Sequence, residues 1–252
     1  MDCEESPAPV ISPDNHARGF LAAAPKPDRY ETGSADPGDV AAKLAALIPR
    51  AAKVLDVGCG TGSISEIIQT LSGATLIGIE PDTQRAMAAQ ARGLKVFEGY
   101  LTKDFLHEHG PFDIILFADV LEHLPDPSEL VTLAGKGLAP GGAIVASVPN
   151  VAHYFMRLDL LFGRFDYQDC GIRDATHLRW FTRKTICEFF KRLGFRITVL
   201  DCTVSVGLAD YQFRRPWRWL RETRRRQVVA FLAKKWPALF GCQHIIKATS
   251  FR

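Results

Sequence analysis

Long apolar runs are missing from this chain of 252 residues. A membrane-spanning helix needs about 18 or more consecutive apolar residues, and no segment reaches that length. The opening sequence MDCEESPAPV is acidic and contains proline, whereas a secretory signal has a basic start followed by an apolar stretch. Hydrophobic residues still make up 47% of the chain, which is enough for a large core. We therefore predict a folded cytoplasmic protein.

Closely spaced cysteine pairs are also absent. The six cysteines are scattered along the chain without any CxxC spacing, at Cys3, Cys59, Cys170, Cys187, Cys202 and Cys242. Zinc ribbons, iron–sulfur clusters and disulfide-stabilised secreted folds depend on regular cysteine spacings, so the sequence excludes these classes. We expect the cysteines to be reduced and mostly buried.

An excess of charge of one sign is confined to one segment. The net charge of the chain is only +3, but residues 213–235 contain nine Lys or Arg and one acidic residue, an excess of 9 − 1 = +8. Three interpretations of this basic insertion fit the pattern: a lid helix over an acceptor pocket, peripheral contact with an anionic membrane, or recognition of a phosphorylated or nucleic-acid partner.

Apolar runs alternate with helical stretches after an irregular, proline-rich leader. We predict a mobile leader at 1–36 and one domain at 37–252. The predicted strands are 53–57, 75–80, 94–98, 112–117 and 143–148, separated by helices at 63–71, 82–92 and 127–135. Alternation of short buried strands with helices predicts an α/β fold with a parallel sheet covered on both faces.

The alternation stops after residue 148 and resumes near residue 182. A helix at 182–193, a strand at 195–202 and a last strand at 243–249 follow. The intervening segments, about 151–180 and 205–240, are predicted to form a helical cap on the domain. The first of them is rich in His, Arg, Asp and aromatic residues, which is typical of an acceptor-binding region.

The sequence VLDVGCGTG places three glycines directly after the first strand. Residues without side chains at the carboxyl end of a parallel strand let a ligand approach the backbone N–H groups. The predicted ligand-binding residues of this loop are Asp56, Gly58, Cys59, Gly60 and Gly62. A carboxylate at position 56 would repel a pyrophosphate, but it suits a ligand that carries an ammonium group.

A second carboxylate ends the next strand, in the sequence GIEPD. Glu80 lies twenty residues after Gly60, where a carboxylate accepts hydrogen bonds from the hydroxyls of a ribose, and Pro81 follows it. A ligand with a ribose at one end and an amino acid at the other is S-adenosylmethionine (SAM). We therefore predict a SAM site.

The ordered motifs resemble those of class I SAM-dependent methyltransferases. The resemblance covers about residues 41–248 and includes VLDVGCGTG, GIEPD, FDIILFADVLEHLPDP, LAPGGAIVASVPN and HIIKAT. It implies a Rossmann-like doubly wound sheet of order 3-2-1-4-5-7-6 with the last strand antiparallel. By the same resemblance, Gly99 and Tyr100 lie at the adenine, where the family often has an aspartate, and Asp119 and Val120 lie near the cofactor.

A finer resemblance concerns the acceptor side. The run SVPNVAHYFMRLDLLFGRFDYQDCGIRDATHLRWFT is similar to bacterial methyltransferases of saccharide and cell-envelope biosynthesis. Transfer of a methyl group to a hydroxyl needs a general base near the strands' carboxyl ends. The candidates are His177, oriented by Asp174, then His153 and His123. The competing interpretation is that His177 only holds a loop in place.

A metal site is a further possibility. Asp119, Glu122 and His123 lie on one turn after the fourth strand, and with His177 they form a donor set for Mg²⁺ or Zn²⁺. This set resembles the ExxEH…H arrangement of small-RNA 2′-O-methyltransferases and ubiquinone-pathway O-methyltransferases, with Asp in place of the first Glu. In the alternative, Glu122 and His123 only pack against and cap the next helix.

These observations predict a SAM-dependent O-methyltransferase. The predicted acceptor is a hydroxyl on a polar small molecule, a saccharide or a lipid-linked or nucleotide-linked sugar. Metal-assisted O-methylation, N- or C-methylation of a small molecule, and a non-catalytic SAM-binding scaffold stay open as alternatives. Nucleobase methylation is disfavoured, because SVPN is not the NPPY-type motif that methylates amino groups of nucleic acids.

Overall fold

The computed structural model describes residues 35–204, 211 and 214–251. The predicted leader, apart from its last two residues, lies outside the described residues, as does part of the start of the second cap element. Eighteen elements follow one another in the described part: α1 Val40–Ala45, β1 Lys53–Val57, α2 Ser63–Ser72, β2 Thr75–Glu80, α3 Thr83–Ala91, β3 Lys95–Glu98, α4 Lys103–His109, β4 Phe112–Ala118, a 3-10 turn Leu121–His123, α5 Pro127–Gly135, β5 Leu138–Pro149, α6 Tyr154–Leu161, α7 Arg183–Arg192, β6 Phe195–Cys202, a 3-10 turn Trp217–Trp219, α8 Glu222–Lys235, α9 Pro237–Phe240 and β7 Gln243–Ser250.

Seven strands form one sheet in the order β3-β2-β1-β4-β5-β7-β6. The pairs from β3 to β5 are parallel, and β7 is antiparallel to both of its neighbours. The predicted strand order and the antiparallel last strand are therefore confirmed. This order places the carboxyl ends of β1, β2 and β4 side by side at one edge, where a doubly wound sheet binds its ligand.

Both faces of the central strands of the sheet are buried. In β1, Leu55 and Val57 belong to one hydrophobic cluster and Val54 to another, and in β4 Ile115 and Ile114 divide in the same way. Neighbouring side chains of a strand point to opposite faces, so each cluster covers one side. The continuously apolar strands of the sequence arise because neither face meets water.

Two elements differ from the sequence prediction. Strand β5 begins at Leu138, five residues earlier than predicted, because Leu138 pairs with Phe112 before a shift in register. The turn-type sequence Pro140-Gly141-Gly142 concealed this early pairing. Helix α4 was not predicted, since its only buried residue is Leu106. Its first turn is closed by the Thr102 hydroxyl, which accepts a 3.1 Å hydrogen bond from the Phe105 N–H.

The cap elements pack on each other through a small aromatic core. Phe155 of α6, Tyr211, Trp217 and Val229 of α8 form one buried cluster. No helix of the described residues is both long enough and apolar enough to cross a membrane.

Candidate functional site

The loop after β1 has no room for a side chain at two of its glycines, because each is packed against a different neighbouring side chain. Gly58, Gly60 and Gly62 all have positive φ, at 74°, 56° and 80°. A Cβ on Gly62 would lie 2.5 Å from Cδ1 of Leu94, and one on Gly58 would lie 3.0 Å from Cγ2 of Val120. A Cβ on Gly60 would meet nothing within 4 Å. Gly60 therefore borders open space, where a ligand can approach the backbone.

Glu80 connects the end of β2 to this loop. Its buried carboxylate accepts a 2.8 Å hydrogen bond from the Gly60 N–H at Oε2 and a 3.1 Å bond from the Asp82 N–H at Oε1. A carboxylate has about four lone-pair sites, so two acceptor positions remain for hydroxyl groups. Pro81, between Glu80 and Asp82, is exposed at the same strand end.

Asp56 lies buried behind the loop. Oδ2 accepts a 2.6 Å hydrogen bond from the Ser65 hydroxyl, and Oδ1 has no hydrogen-bond partner among the described residues. Burial raises the pKa of Asp56 to about 7, the Ser65 hydrogen bond acts in the opposite direction, and the charge of Glu80 raises it further. A cationic group near the loop would favour the ionised form of this carboxyl.

Cys59 contributes backbone and packing to the loop. Its side chain lies over β2, since a Cβ built on Gly78 would be 2.6 Å from its Sγ. Burial raises the pKa of the Cys59 thiol well above its usual range, and the charges of Asp56 and Glu80 add to this effect. A raised pKa disfavours the thiolate, which is the nucleophilic form of cysteine.

The predicted adenine-side residues lie at the end of β3. Gly99 has a φ of 132°, and its N–H donates a 2.9 Å hydrogen bond to the Glu80 carbonyl. Glu98 accepts a 2.7 Å hydrogen bond from the Thr83 hydroxyl. The Tyr100 side chain is 79% exposed, so its ring is available to cover a ligand.

Asp119 occupies a strained backbone position after β4, with a φ of 54°. Oδ1 accepts a 2.8 Å hydrogen bond from the Ser147 hydroxyl, and Oδ2 accepts a 2.5 Å bond from the Gln243 amide. Burial raises the pKa of this carboxyl to about 6, although the two hydrogen bonds act to lower it. Asp119 thus joins β4, β5 and β7, and the next residue, Val120, faces Gly58.

Three of the four predicted metal ligands come together. One carboxylate oxygen of Glu122 and one ring nitrogen each of His123 and His177 all lie within 4.8 Å of one another. Asp119 is not part of this group. Both oxygens of Glu122 are buried without a hydrogen-bond partner among the described residues. Burial raises the pKa of Glu122 well above its usual range, with the charge of Asp119 as the next contribution.

Hydrogen bonds fix the ring tautomers of both histidines. Nδ1 of His123 lies 3.3 Å from the Thr176 carbonyl oxygen, and Nδ1 of His177 lies 3.3 Å from that of Ile172. A carbonyl only accepts, so in the neutral form of each ring Nδ1 carries the proton and Nε2 keeps a lone pair. Nε2 is therefore the nitrogen that can bind a proton or a metal. Metal-binding histidines usually donate the N–H of the other ring nitrogen to a carbonyl or carboxylate, as Nδ1 does here.

Backbone hydrogen bonds join the segment after α6 to the 3-10 turn Leu121–His123. The N–H groups of Leu178 and Arg179 donate to the Glu122 carbonyl, at 2.8 and 3.0 Å. Asp174 Oδ1 accepts hydrogen bonds from the Thr176 N–H at 2.8 Å and from its hydroxyl at 2.7 Å. The Thr176 hydroxyl lies 3.1 Å from Nδ1 of His123, so Asp174 positions His123 through Thr176.

His153 has a different environment from His177. It is fully buried at the start of α6, where Nδ1 accepts a hydrogen bond from the Phe155 N–H at 3.4 Å, and Nε2 lies 3.1 Å from the Tyr211 hydroxyl. Burial lowers the pKa of His153 to about 4. These contacts cap the helix and connect it to the aromatic core.

Sequence reasoning missed the residues that support the site. Ser65, Ser147 and Gln243 bind the buried carboxyls of Asp56 and Asp119, and none of them was predicted as a site residue, although Ser147 lies within the motif LAPGGAIVASVPN. Thr176 had a signal, because a threonine two residues after an aspartate often closes a local turn through the aspartate side chain.

A carboxylate and two imidazoles are a donor set suited to divalent transition metals, and three protein ligands leave a coordination position for another molecule. The buried oxygens of Glu122, without a partner among the described residues, fit a cation.

Comparisons with known proteins identify relatives of this chain. Residues 31–200 match a family model described as a methyltransferase domain. A ubiquinone biosynthesis O-methyltransferase of Pseudomonas putida is 38% identical over 104 residues, which are 39% of this chain and 44% of that protein. The chain thus spans less than half the length of that curated relative.

Solved structures share the fold. A SAM-dependent methyltransferase from Archaeoglobus fulgidus has a TM-score of 0.57 at 21% identity, over 88% of this chain and 96% of the other. Magnesium protoporphyrin IX methyltransferase from Synechocystis PCC 6803, solved with bound SAH, has a TM-score of 0.52 at 15% identity, over 82% of this chain and 80% of the other.

Proposed function

The chain belongs to the methyltransferase domain family, and we propose that it transfers a methyl group from SAM to a hydroxyl oxygen of a small-molecule acceptor. The family match agrees with the predicted enzyme class and cofactor. The choice of oxygen is supported by the relative from Pseudomonas putida, whose name gives O-methylation. The observation that carries the proposal is the cluster formed by Glu122 and His123 on the turn after β4 with His177 from the segment between α6 and α7.

The cofactor roles that we propose follow the strand ends. Glu80 has acceptor positions left for the two ribose hydroxyls, and Gly60 borders the open space above it. Asp56 supplies negative charge for the ammonium end, since its Oδ1 has no partner among the described residues. Tyr100 and Gly99 border the adenine, and Asp119 with Val120 closes the loop side near Gly58.

His177 is the general base in this proposal. Its Nε2 carries a lone pair because Nδ1–H is directed to the Ile172 carbonyl. The acceptor O–H loses its proton to Nε2, the oxygen forms a bond to the methyl carbon, and the bond from that carbon to the sulfonium sulfur breaks. Holding the three reacting atoms in line supplies most of the acceleration.

A metal-assisted reaction is the second candidate, and it is favoured by the buried oxygens of Glu122, which have no hydrogen-bond partner in the part of the chain that the structure describes. The residues that would hold a divalent cation are Glu122, His123 and His177. A bound cation would lower the pKa of a coordinated acceptor hydroxyl. The chain itself contributes two imidazoles whose Nδ1 atoms face backbone carbonyls and a carboxyl whose ionised form needs a neighbouring positive charge.

The experiment is methyl transfer from labelled SAM to a panel of sugar-bearing, phenolic and amine acceptors. The saccharide acceptor that the sequence resemblance suggested is one arm of this panel. Methylation of hydroxyl acceptors supports the proposal, and exclusive methylation of amines contradicts it. Chelator treatment then separates the two mechanisms: turnover that is lost and restored by added divalent ion assigns a metal, and unchanged turnover assigns His177 alone.

A further inference from the structure

Helix α6 leaves an apolar face exposed. Phe155 and Asp159, one turn apart, point inward and are buried. Leu161 and Phe162, which follow Leu158 at three and four residues, are 76% and 67% exposed. Residues at these spacings share one face of a helix, so three apolar side chains project together away from the cap core.

Arginines surround this apolar face. The guanidinium of Arg164 lies 5.7 Å from the ring centre of Phe162. In the basic insertion, Trp219 is 65% exposed, and the guanidinium groups of Arg215 and Arg218 lie 5.2 and 5.7 Å from its ring. Each exposed aromatic ring therefore carries a positive charge beside it.

A partly buried ion pair joins the helix to the basic insertion. Both carboxylate oxygens of Asp159 accept hydrogen bonds from Arg214, at 2.8 and 2.7 Å. Asp159 directly follows Leu158, and Arg214 directly precedes Arg215, so the two exposed groups belong to neighbouring parts of the surface. We name the set of seven residues the basic apolar face: Leu158, Leu161, Phe162, Arg164, Arg215, Arg218 and Trp219.

We propose that the basic apolar face binds the surface of an anionic phospholipid bilayer. Leucine, phenylalanine and tryptophan side chains enter the boundary between head groups and acyl chains, and arginines contact lipid phosphates. A nucleic acid would satisfy the arginines, but it offers no apolar layer for Leu158 and Leu161. The proposal does not depend on which acceptor is methylated. Of the three interpretations of the basic insertion, it selects contact with an anionic membrane.

Vesicle sedimentation with the full chain tests this. Phosphatidylcholine vesicles containing phosphatidylglycerol should bind the protein, and pure phosphatidylcholine vesicles should bind it weakly. The substitution pair R215A/R218A should lower the partition coefficient about fivefold per arginine. The pair L161D/F162D should remove binding, because it places charge in the acyl boundary. Met87, which is 62% exposed on α3, provides the matched control M87D, and this variant should bind as the original protein does.

Affinity for SAM, measured by calorimetry, checks that each variant is folded. Equal sedimentation of the original protein and both face variants overturns the proposal. Binding to RNA without binding to anionic vesicles also overturns it and assigns the basic insertion to nucleic acid. Failure of methyl transfer in the acceptor panel leaves the vesicle result unaffected, so the two proposals are tested separately.

Discussion

The N–H of Gly60 donates a 2.8 Å hydrogen bond to Oε2 of Glu80. This bond joins the turn after β1 to the end of β2, so the glycine loop and the carboxylate form one binding surface. A hydrogen bond to an ionised acceptor is stronger than one between neutral groups. The position of the carboxylate is therefore fixed before any ligand arrives, which reduces the ordering cost of binding.

We expect E80Q to weaken binding of S-adenosylhomocysteine. The amide loses the charge and one acceptor atom, and a hydrogen bond to a charged group is worth about 1.5–3 kcal/mol, roughly a tenfold to hundredfold rise in Kd. Titration calorimetry measures this. E98Q is the matched control, because Glu98 ends the neighbouring strand and contacts Thr83. Equal affinity of E80Q and E98Q would contradict the ribose assignment.

Alanine substitutions at two glycines of the same loop should have different main effects: one on stability and the other on SAM affinity. G62A places a Cβ 2.5 Å from Leu94 at a positive φ, so we expect a loss of about 2–4 kcal/mol in the free energy of unfolding. G60A meets no neighbour within 4 Å, so it should cost about 1–2 kcal/mol of stability and mainly reduce SAM affinity. Urea unfolding and calorimetry separate the two effects. If G60A binds SAM with normal affinity, the open space beside Gly60 is not the cofactor site.

The Asp174–Thr176–His123 contacts predict a positioning role for the threonine hydroxyl. T176V keeps the shape of the side chain but removes the 3.1 Å contact to Nδ1 of His123. Loss of such a supporting contact typically lowers activity or metal affinity about tenfold to a hundredfold. We expect kcat to fall by about tenfold at unchanged SAM affinity, with recovery in T176S. A purely structural threonine would instead lower the unfolding free energy and leave kcat unchanged.

Sequence patterns predicted the central strands β1, β2 and β4 well because each is largely an apolar run buried on both faces. They failed for α4, where Leu106 is the only buried residue. The partners of Asp119 were also beyond reach, since Ser147 and Gln243 lie 28 and 124 residues away and only the sheet brings them together. Local motifs identify the residues that contact a ligand. They do not predict which distant strand supplies the hydrogen bonds that hold those residues in place.

Buried His244 should make stability depend on pH. Neither ring nitrogen has a hydrogen-bond partner among the described residues, and burial lowers the pKa to about 4. The unfolded chain binds the proton more tightly, so this stability is complete above an unfolded pKa of about 6.5 and is lost as pH falls towards 4.

H244F should remove this dependence. Phenylalanine keeps most of the ring volume and leaves no buried polar atom, so stability near neutral pH should stay the same or rise. The loss of unfolding free energy between about pH 7 and about pH 5 should shrink by about 2 kcal/mol. Urea unfolding at both pH values measures the difference. An unchanged pH dependence would show that His244 does not titrate across this range.

Glu122 gives the sharpest test of a cation site. Burial raises the pKa of its carboxyl well above the usual range, so the folded apo protein binds a proton there more tightly than the unfolded chain does. The stability of the apo protein therefore falls as pH rises above the unfolded pKa, and E122Q, which resembles the protonated form, should be at least as stable as the original. A bound divalent cation reverses this balance, because it stabilises the ionised carboxylate. We expect Zn²⁺ or Mn²⁺ to raise the Tm of the original protein and to leave E122Q and H123A unchanged. An equal rise in all three proteins would place the cation elsewhere and leave His177 as the base without a metal.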